Sequence, residues 1–279
     1  MNRRNFVQAL AATAVGTGAA PFRLHAPKRL DRIGLELWTI RRTMAKDPDR
    51  TLAAVRAIGY TDVELLWSTD NFHRTARQVR DALTREGLRA PSAHIDQDMI
   101  FIGWERRLET AKMLGHDYLV VPSFSGSTAR TLDDWRAWAD HFNRAGAQAR
   151  RAGIWLAFHN EADHMDLIEG KIPYDIFVER TDPSLVRLQL DTGNMVMGGG
   201  DPMQYLARYK DRYHLFHLKD VVADHKSDTE LGKGTFDFKH FLAAVPDLAH
   251  KPCYVEQEEA KDEMVSARED YEYLHNLDF

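Results

Sequence analysis

The sequence contains little of what would point to several common protein classes. Its single cysteine, Cys253, excludes an intramolecular disulfide, so the fold has to be stabilised by packing. Positive charge is not in excess, because 37 lysine and arginine residues face 42 acidic ones, for a net charge of −5. That balance argues against nucleic acid or an anionic membrane surface as a partner. With 279 residues, 44% of them hydrophobic, the chain is long enough to bury a large core.

The N-terminal region lacks a hydrophobic run long enough for a membrane span. Its apolar part is weakly hydrophobic, rich in Ala, Gly and Thr, and ends near Ala20. A twin arginine, Arg3 and Arg4, precedes it, and this combination is typical of a twin-arginine export signal. We therefore expect residues 1–26 to be a signal peptide and linker and residues 27–279 to form the domain. The expected location is the periplasm or the exterior, without membrane contact after signal removal. A poorly ordered basic tail is the alternative.

Two further absences bear on the fold. No low-complexity linker divides the chain, and no glycine-rich phosphate-binding turn follows the first apolar run, which disfavours an open doubly wound sheet. Apolar runs instead alternate with amphipathic helical patterns. We expect strands at residues 33–38, 62–67, 88–94, 118–121, 154–158, 186–190, 213–218 and 253–256. Eight strand–helix alternations predict a single-domain α/β fold, the (β/α)8 TIM barrel.

Three local patterns predict structure and carry no chemistry of their own. Thr131, followed by an acidic residue three positions later, predicts a capped helix start, and the helical spacing of Trp135 and Trp138 predicts core packing. The segment Gly232-Lys233-Gly234 predicts a turn, so no basic phosphate cradle is visible.

Titratable side chains recur where the predicted strands end, and TIM barrels place their active sites there. They are Glu64, His94, His159, Glu161, His164, Asp191, His217, Lys219 and Glu256. Carboxylates and imidazoles without a thiolate suit Mn²⁺, Co²⁺, Zn²⁺ or Fe²⁺, whereas all-oxygen Mg²⁺ or Ca²⁺ sites need no histidine. Taken singly, Asp191 is explained as a helix cap, His217 as a core histidine and Glu256 as part of a solvated acidic run. The placement of all these residues at strand ends favours a metal site at the open end of the barrel.

Three motifs carry a resemblance to a known family: Asp191-Thr-Gly-Asn, His217-Leu-Lys-Asp and Val255-Glu-Gln. Together they resemble the sugar phosphate isomerase/epimerase superfamily, the xylose isomerase-like TIM barrels, and within it the exported twin-arginine members. The resemblance covers the chain from about Arg32 onward. It implies a divalent metal ion, with Mn, Co or Zn expected, held by a ligand after the fifth strand and by Asp191, His217 and Glu256.

The fifth strand departs from the superfamily pattern. Many relatives read His-Asn-His-x-x-Glu there, and on that register His164 replaces the glutamate while Glu161 replaces the second histidine. Another register aligns His159 with the ligand. All three remain candidates, with His164 and Glu161 preferred. The expected metal ligands are therefore His164, Glu161, Asp191, His217 and Glu256.

The resemblance also implies a chemistry. A metal that chelates a substrate carbonyl and a neighbouring hydroxyl stabilises an enediolate as a Lewis acid. Glu256 or Glu161 is then expected to act as the base, and Lys219 to hold the oxyanion or a hydroxyl. The side chains expected to face the substrate are His94, His159, Glu64, Trp67 and Trp38. Core packing is the alternative for both tryptophans.

We therefore expect a metal-dependent isomerase or epimerase that acts on an unphosphorylated sugar or glycoside. Export supports this substrate class, because phosphorylated sugars seldom occur outside the cytoplasm. A 3-keto-glycoside lyase that works by β-elimination from the same intermediate is the first alternative. An exported carbohydrate-binding barrel without catalysis is the second, since the changed fifth strand could spoil the metal site. A homo-oligomer is left open.

Overall fold

The computed structural model describes residues 28–67 and 70–279. The predicted signal segment and the boundary after residue 26 lie outside the described residues. Eight parallel strands close into a barrel in the order β1-β10-β7-β6-β5-β4-β3-β2. They are β1 Gly34–Glu36, β2 Asp62–Leu66, β3 Arg89–His94, β4 Tyr118–Val121, β5 Trp155–His159, β6 Val186–Asp191, β7 Tyr213–Leu218 and β10 Cys253–Val255. The predicted TIM barrel is confirmed.

Helices follow the strands and cover the outside of the barrel. In the described residues they are α1 Arg41–Met44, α2 Pro48–Ile58, α3 Ala76–Glu86, α4 Trp104–Leu114, α5 Leu132–Arg151, α6 Pro173–Arg180, α7 Thr192–Met197, α8 Pro202–Arg208, α9 Phe238–Ala244 and α10 Glu263–Asn276. Short 3-10 turns lie at Gln97–Ile100, Ala162–Met165 and Leu248–His250, and a left-handed turn lies at Asp70–His73. None of these helices is long and apolar enough to cross a bilayer.

Helix α5 shows how local sequence and packing agree. The Thr131 hydroxyl accepts a hydrogen bond from the Asp134 N–H, and the Asp134 carboxylate accepts one from the Thr131 N–H, so the predicted cap is confirmed. Trp135 and Trp138 are buried on the inner face of the helix. Phe124 stacks on Trp138 with a centroid distance of 4.5 Å. The prediction that these aromatics pack the core is also confirmed.

The barrel interior is filled and does not form a channel. Val120, Ala157, Leu215 and Tyr254 form a separate apolar cluster inside it. The Tyr254 hydroxyl pairs with Ser92 at 2.6 Å, which satisfies the polar end of the ring. Because side chains alternate along each strand, the next inward residues on several strands lie one layer higher and are polar. This apolar plug is therefore the floor of the candidate site.

Glycine at position 34 leaves room for the Tyr254 ring of the apolar plug, and its replacement is expected to destabilise the fold. A Cβ at this position would overlap the Tyr254 ring. We expect Gly34→Ala to lower the free energy of unfolding by about 1–3 kcal/mol, measured by urea denaturation, because the core has to repack around the extra methyl group. Gly126→Ala is the matched control, since no atom lies within 4 Å of a Cβ added there. Equal stability of both variants would contradict this account of the plug.

A two-stranded antiparallel sheet, β8 Asp220–Val221 with β9 Asp228–Thr229, follows β7. The buried Asp220 carboxylate organises the segment by accepting backbone hydrogen bonds from Val221, Gly232, Gly234 and Phe236, at 2.9–3.1 Å. The predicted turn at Gly232–Gly234 is confirmed, and its N–H groups bind this carboxylate of the protein.

Asp270 on α10 supplies a pH-dependent term in stability. Its side chain is 1% exposed, accepts the Leu231 N–H and lies near Glu230, Glu269 and Lys233. Burial raises the pKa of Asp270 to about 7. Just below pH 7 the folded state therefore keeps a proton on Asp270 that the unfolded state has lost. The stability that this proton contributes declines as pH rises toward 7 and is lost above pH 7.

We expect Asp270→Asn to gain stability relative to the wild type by roughly 2 kcal/mol between pH 5 and pH 8, because the variant has no carboxylate to ionise. Urea denaturation at both pH values measures the difference. A stability difference that does not change with pH would contradict the prediction.

Candidate active site and metal centre

One layer of titratable side chains caps the apolar plug at the carboxyl end of the barrel. All are buried, and they are Glu36, Glu64, His94, His159, Asp191, His217 and Glu256. Parallel strands end at the same side of a barrel, so residues far apart in sequence meet there. The strand register pairs Glu36 with Glu64 and Asp191 with His217.

Four of these side chains form a group that could hold a metal ion. Ligand atoms of His159, Asp191, His217 and Glu256 all lie within 4.8 Å of one another. His159 Nε2 is 3.5 Å from Asp191 Oδ2, and His217 Nδ1 is 2.6 Å from Glu256 Oε2 and 3.8 Å from Asp191 Oδ2. Two imidazoles and two carboxylates without sulfur suit a divalent ion such as Mn²⁺, Co²⁺ or Zn²⁺.

Polar atoms without partners support this assignment. Among the described residues, both ring nitrogens of His159 lack a hydrogen-bond partner. The same is true of Asp191 Oδ2. The two side chains are 1% and 0% exposed. A buried polar atom normally has a partner, because desolvation without one is costly. A divalent cation would satisfy these atoms together, so the four residues fit a metal ion.

Glu64 lies outside the group of four and holds the His217 ring in place. Its Oε2 is 2.5 Å from His217 Nε2, and both carboxylate oxygens accept from Gln189 Nε2 at 3.0–3.1 Å. Burial by itself raises the pKa of Glu64, but His94 and His217 outweigh it and lower the pKa to about 2. An ionised carboxylate on the outer nitrogen of a histidine ligand fixes the tautomer and the ring direction. The predicted substrate contact of Glu64 does not fit, because its oxygens are already engaged.

The pKa of His217 depends on the carboxylates of Glu64 and Glu256. Burial lowers the pKa of His217, but Glu256 and Glu64 outweigh burial and raise the pKa well above the usual value. Glu256 shows the converse effect: burial is outweighed by Lys219 and His217, and its pKa is well below normal. The His217 ring is held between two carboxylates, with Nε2 on Glu64 and Nδ1 directed at Glu256 and Asp191.

The structure does not bring His164 to the group of four. Its ring stacks on Phe158 with a centroid distance of 5.3 Å and meets Trp135 edge-on at 5.0 Å. His164 Nδ1 accepts the Glu161 N–H at 3.0 Å, and burial lowers the pKa of His164 to about 3. The 3-10 turn after β5 directs the ring back into the aromatic core. The fifth-strand member of the group is therefore His159, the residue that the sequence ranked third.

We expect His164→Ala to keep the wild-type metal content but to lose roughly 2–4 kcal/mol of stability, because a buried ring is removed. His164→Asn retains an acceptor for the Glu161 N–H and is expected to recover part of the stability lost in the alanine variant. Metal analysis by plasma mass spectrometry and urea denaturation check the two effects. Loss of stoichiometric metal in His164→Asn would restore His164 as a ligand.

Glu161 stands beside the group of four. Its side chain is 31% exposed, and its Oε1 is 3.6 Å from His159 Nδ1. Its Oε2 accepts a hydrogen bond from Asn194 Nδ2 at 2.8 Å. Burial raises the pKa of Glu161 to about 7, with partial opposition from His159 and Lys219. A carboxylate with one accessible oxygen and a pKa near neutrality is suited to general acid–base work.

Lys219 is fully buried and paired within the protein. Its Nζ donates to Asn194 Oδ1 at 3.0 Å and Glu258 Oε1 at 2.6 Å, and lies 3.3 Å from Asp191 Oδ2 and from Glu256 Oε2. Burial alone would lower the pKa of Lys219, but Asp191 and Glu256 outweigh it, and the pKa lies well above normal. The ammonium group is thus directed at protein side chains, and its effect at the site is electrostatic.

The Asp191-Thr-Gly-Asn motif is built around this lysine. The Thr192 hydroxyl donates to the Lys219 carbonyl at 2.8 Å and accepts the Lys219 N–H at 3.0 Å. A Cβ on Gly193 would lie 2.5 Å from Lys219 Cγ, so a side chain there would displace the lysine stem. Asn194 joins the Lys219 ammonium to the Glu161 carboxylate. Two motifs that are separate in sequence therefore form one unit.

The two tryptophans proposed to face the substrate differ. Trp67 is buried and its ring lies against His116 at a centroid distance of 5.7 Å, so core packing explains it. Trp38 is 36% exposed beyond the end of β1, with the Arg41 guanidinium 4.5 Å above its ring. His94 stacks on His217 at 5.1 Å within the polar layer.

Sequence reasoning missed several side chains of the site. They are Glu36, Asn160, Gln189, Asn194 and Glu258. Asn160 exchanges hydrogen bonds with the Asp191 backbone through its side chain and so fixes the position of that residue. The strand-end rule could have found Glu36, but the predicted first strand ran on to Trp38, whereas β1 ends at Glu36. Strand alternation could have found Gln189, which precedes Asp191 by two residues on the inward face.

Comparison with known proteins agrees with this architecture. A family model described as xylose isomerase-like TIM barrel matches residues 52–277. Inosose dehydratase from Geobacillus kaustophilus is 29% identical over 203 residues, which cover 63% of this chain and 63% of that relative. Matches to other inosose dehydratases cover as little as 38% of their length. The chain therefore spans less than two thirds of these curated relatives. The relatives' names support the prediction of an enzyme.

Two solved structures share the fold. A sugar phosphate isomerase/epimerase from Parabacteroides distasonis aligns with a TM-score of 0.75 at 22% identity, covering 91% of this chain and 95% of the other. The IOLI protein, whose crystal structure contains a zinc atom, aligns with a TM-score of 0.67 at 14% identity, covering 86% and 95%. At these identities the likeness shows the fold alone.

Proposed function

The chain belongs to the xylose isomerase-like TIM barrel family, and from this premise we propose a metal-dependent enzyme that removes the proton next to the carbonyl of an unphosphorylated, polyhydroxylated substrate. The observation that carries the proposal is the juxtaposition of two features. The ring nitrogens of His159 and Oδ2 of Asp191, which lack hydrogen-bond partners among the described residues, lie in a group suited to a divalent ion. Glu161, a partly exposed carboxylate outside that group, lies directly beside it.

The four residues that would hold the ion are His159, Asp191, His217 and Glu256. When bound there, a divalent ion would supply Lewis acidity toward a substrate oxygen. The chain's own contribution is to hold these ligands in place and to balance the charge of the two carboxylates. Lys219 Nζ lies 3.3 Å from both ligand carboxylates and offsets their negative charge, and Glu64 holds the His217 ring in place.

Glu161 is the proposed base. Its Oε2 is fixed by Asn194, which leaves Oε1 to accept a proton from a substrate carbon at the mouth. A pKa of about 7 leaves a substantial ionised fraction at neutral pH while keeping the group basic enough to take the proton. Glu256 is less suited to this role than the sequence suggested, because its Oε2 is engaged by His217 and lies 3.3 Å from Lys219.

An uncharged substrate is favoured by the electrostatics of the mouth. The buried Lys219 is engaged by side chains of the protein, and the amides of Gly232 and Gly234 bind Asp220. A phosphate group would therefore have to compete with carboxylates for these donors. Hydroxyl groups, which both donate and accept, suit the surrounding carboxylate oxygens better.

The names of the relatives favour elimination as the outcome over reprotonation. Several relatives are named inosose dehydratases, and these names support a lyase over the isomerase or epimerase first expected from sequence. An inosose is a cyclic keto-polyol, and a 3-keto-glycoside shares its arrangement of a ring ketone flanked by hydroxyl-bearing carbons. We propose this substrate class for the chain.

The proposal is tested by following hydrogen exchange in D2O with NMR. Mn²⁺-loaded protein is incubated with an inosose, with a 3-keto-glucoside and with an unoxidised glucoside. We expect deuterium uptake next to the carbonyl of a keto substrate, followed by an unsaturated product, and no reaction of the unoxidised control. Removal of metal with EDTA should abolish exchange, and Mn²⁺ or Co²⁺ should restore it. Full exchange in the chelated protein would overturn the proposal, and sugar binding without exchange would support the non-catalytic alternative.

A further inference from the structure

A polar cavity lies at the same end of the barrel as the group of four. It has a volume of about 460 Å³ and is formed mainly by the segments that follow β3 and β4, residues 95–102 and 122–125. Small-molecule pockets typically have volumes of roughly 300–1,000 Å³. The residues that line this cavity do not include any member of the group of four. The cavity is therefore large enough for a ligand and distinct from the candidate metal centre.

Strand register places this cavity next to the β5 side of the group of four. The strands β3, β4 and β5 are neighbours in the barrel, and one row of residues is aligned across them: His94, Val120 and Ala157. The alignment of β3 with β4 continues past this row, because the Ile95 N–H donates to the Val120 carbonyl at 2.8 Å. Carried two residues further, the same register and the alternation of side chains bring Asp96, Pro122 and His159 into one row. A ligand in the cavity would thus adjoin a substrate held at the group of four.

Charged groups of both signs and uncharged donors line the cavity. Asp96 and Asp98 present carboxylates, and Arg107 of α4 presents a guanidinium group. Arg107 Nε is buried and has no hydrogen-bond partner among the described residues, so this donor is available to a ligand. The Gln97 side chain is fixed, because its Oε1 accepts the Ser125 N–H at 2.7 Å, and its NH2 group remains able to donate.

This set of groups favours a neutral, hydroxyl-rich ligand over an anion. A phosphate that approached Arg107 would also meet the carboxylates of Asp96 and Asp98. Sugar hydroxyls both donate and accept, so they can pair with the acids and with the guanidinium group at once. Met99 and the exposed Ile102 also line the cavity and supply apolar surface for the C–H groups of a sugar ring.

We propose that this cavity, the β3–β4 cavity, binds the second sugar of a 3-keto-glycoside, the one on the leaving side, and that Arg107 is a specificity-determining residue. This inference rests on the proposed function and narrows its substrate to a keto-disaccharide, since an inosose has no second ring to occupy the cavity. Glu161 takes the proton from C2, and the C–H electron pair becomes the new C=C bond. The C1–O bond breaks, and its electron pair leaves with the glycosidic oxygen. Water supplies the proton that turns this oxygen into a sugar hydroxyl, and Glu161 returns its proton to solvent.

The kinetic test compares two keto substrates of Mn²⁺-loaded protein. One is cellobiose oxidised to the 3-ketone on its non-reducing ring, and the other is methyl 3-keto-β-glucoside, which lacks the second ring. Arg107→Met keeps the length of the stem but removes the charge and the donors. We expect it to raise KM for keto-cellobiose by roughly 10-fold or more, the usual effect of losing a hydrogen bond to a charged group. KM for the methyl glucoside and kcat for both substrates should stay within about threefold of wild type.

Two further variants control this experiment. Arg107→Lys keeps the charge and a donor, and should recover part of the lost affinity for keto-cellobiose. Arg106→Met changes the neighbouring residue of α4, which does not line the cavity, and should match wild type for both substrates. An equal rise of KM for both substrates in Arg107→Met, or no rise for either, would overturn the proposal.

Binding of unoxidised cellobiose needs no chemistry and so separates this inference from the proposed function. Isothermal titration calorimetry of Mn²⁺-loaded protein should show binding to wild type and Arg106→Met, and binding at least roughly 10-fold weaker to Arg107→Met. This pattern without turnover of any keto-glycoside would support the cavity and overturn the proposed function. Turnover of an inosose, with cellobiose binding that is absent from wild type or unchanged in Arg107→Met, would support the proposed function and overturn this inference.

Discussion

Metal affinity is expected to fall by roughly 100-fold or more in His159→Ala, since even loss of a residue that only orients a ligand typically costs 10–100-fold. His159 is 1% exposed, and neither of its nitrogens has a partner among the described residues, so it has no evident structural hydrogen bond to lose. Its Nε2 lies 3.5 Å from Asp191 Oδ2, a separation that two ligands of one ion can adopt. Competition against a fluorescent zinc chelator measures the affinity.

His164→Asn is the matched control for this experiment. His159 ends β5 and His164 follows it, and both are buried, but His164 packs among aromatic rings and accepts a backbone N–H. Loss of affinity in His159→Ala with retention in His164→Asn is the expected pattern. The reverse pattern would mean that the residues after β5 adopt the register first preferred from sequence, in which His164 occupies the ligand position.

The second large effect is expected for Glu161→Gln, which should lower the exchange rate of the substrate proton by roughly 100- to 10,000-fold, the usual contribution of a general base. Metal content should stay at the wild-type level, because Glu161 lies outside the group of four. The amide keeps the shape of the side chain but cannot accept a proton. Deuterium exchange measured by NMR and metal analysis of the same samples give the two values.

Asp163→Asn is the control for Glu161→Gln, because the Asp163 carboxylate is 80% exposed two residues further along. It should exchange the substrate proton at the wild-type rate. If Glu161→Gln instead loses its metal, Glu161 is a ligand and the base has to be sought elsewhere in the mouth. Retained metal together with unchanged exchange would exclude Glu161 from catalysis altogether.

The fold was predictable from sequence because its signals are local. Apolar runs bounded by turns gave all eight barrel strands, and the Thr131 cap was visible as a spacing of side chains. Those signals depend on burial and backbone geometry within a few residues. Asp191, His217 and Glu256 were also found, since each follows its strand directly and the barrel brings such positions together.

The fifth-strand member of the group of four could not be chosen from sequence, because the choice depends on a turn. Residues 162–165 form a 3-10 turn, and this turn directs His164 into the aromatic core around Phe158. His159, which ends the strand, stays in the polar layer. Spacing alone gives both histidines equal access to a site. The shape of the chain after the strand decides between them.

The side chains that hold the site residues in place could not be predicted from sequence, for a different reason. Gln189 and Asn194 are uncharged residues whose roles arise only from partners distant in sequence, Glu64 and Lys219 respectively. Gly193 matters because the Lys219 stem passes over it. Such relations require the three-dimensional positions of several strands at once. Sequence therefore predicts which residues carry chemistry better than it predicts which residues hold them in place.

The central claim is that His159, Asp191, His217 and Glu256 together hold a divalent ion. Anomalous diffraction from crystals of Mn²⁺- or Zn²⁺-loaded protein tests it most directly. We predict one strong anomalous peak within bonding distance of ligand atoms from these four side chains, with Glu161 nearby and His164 in its aromatic pocket. A peak bound by His164 or lying away from the barrel mouth, or fully loaded crystals without a peak at these residues, would contradict the claim.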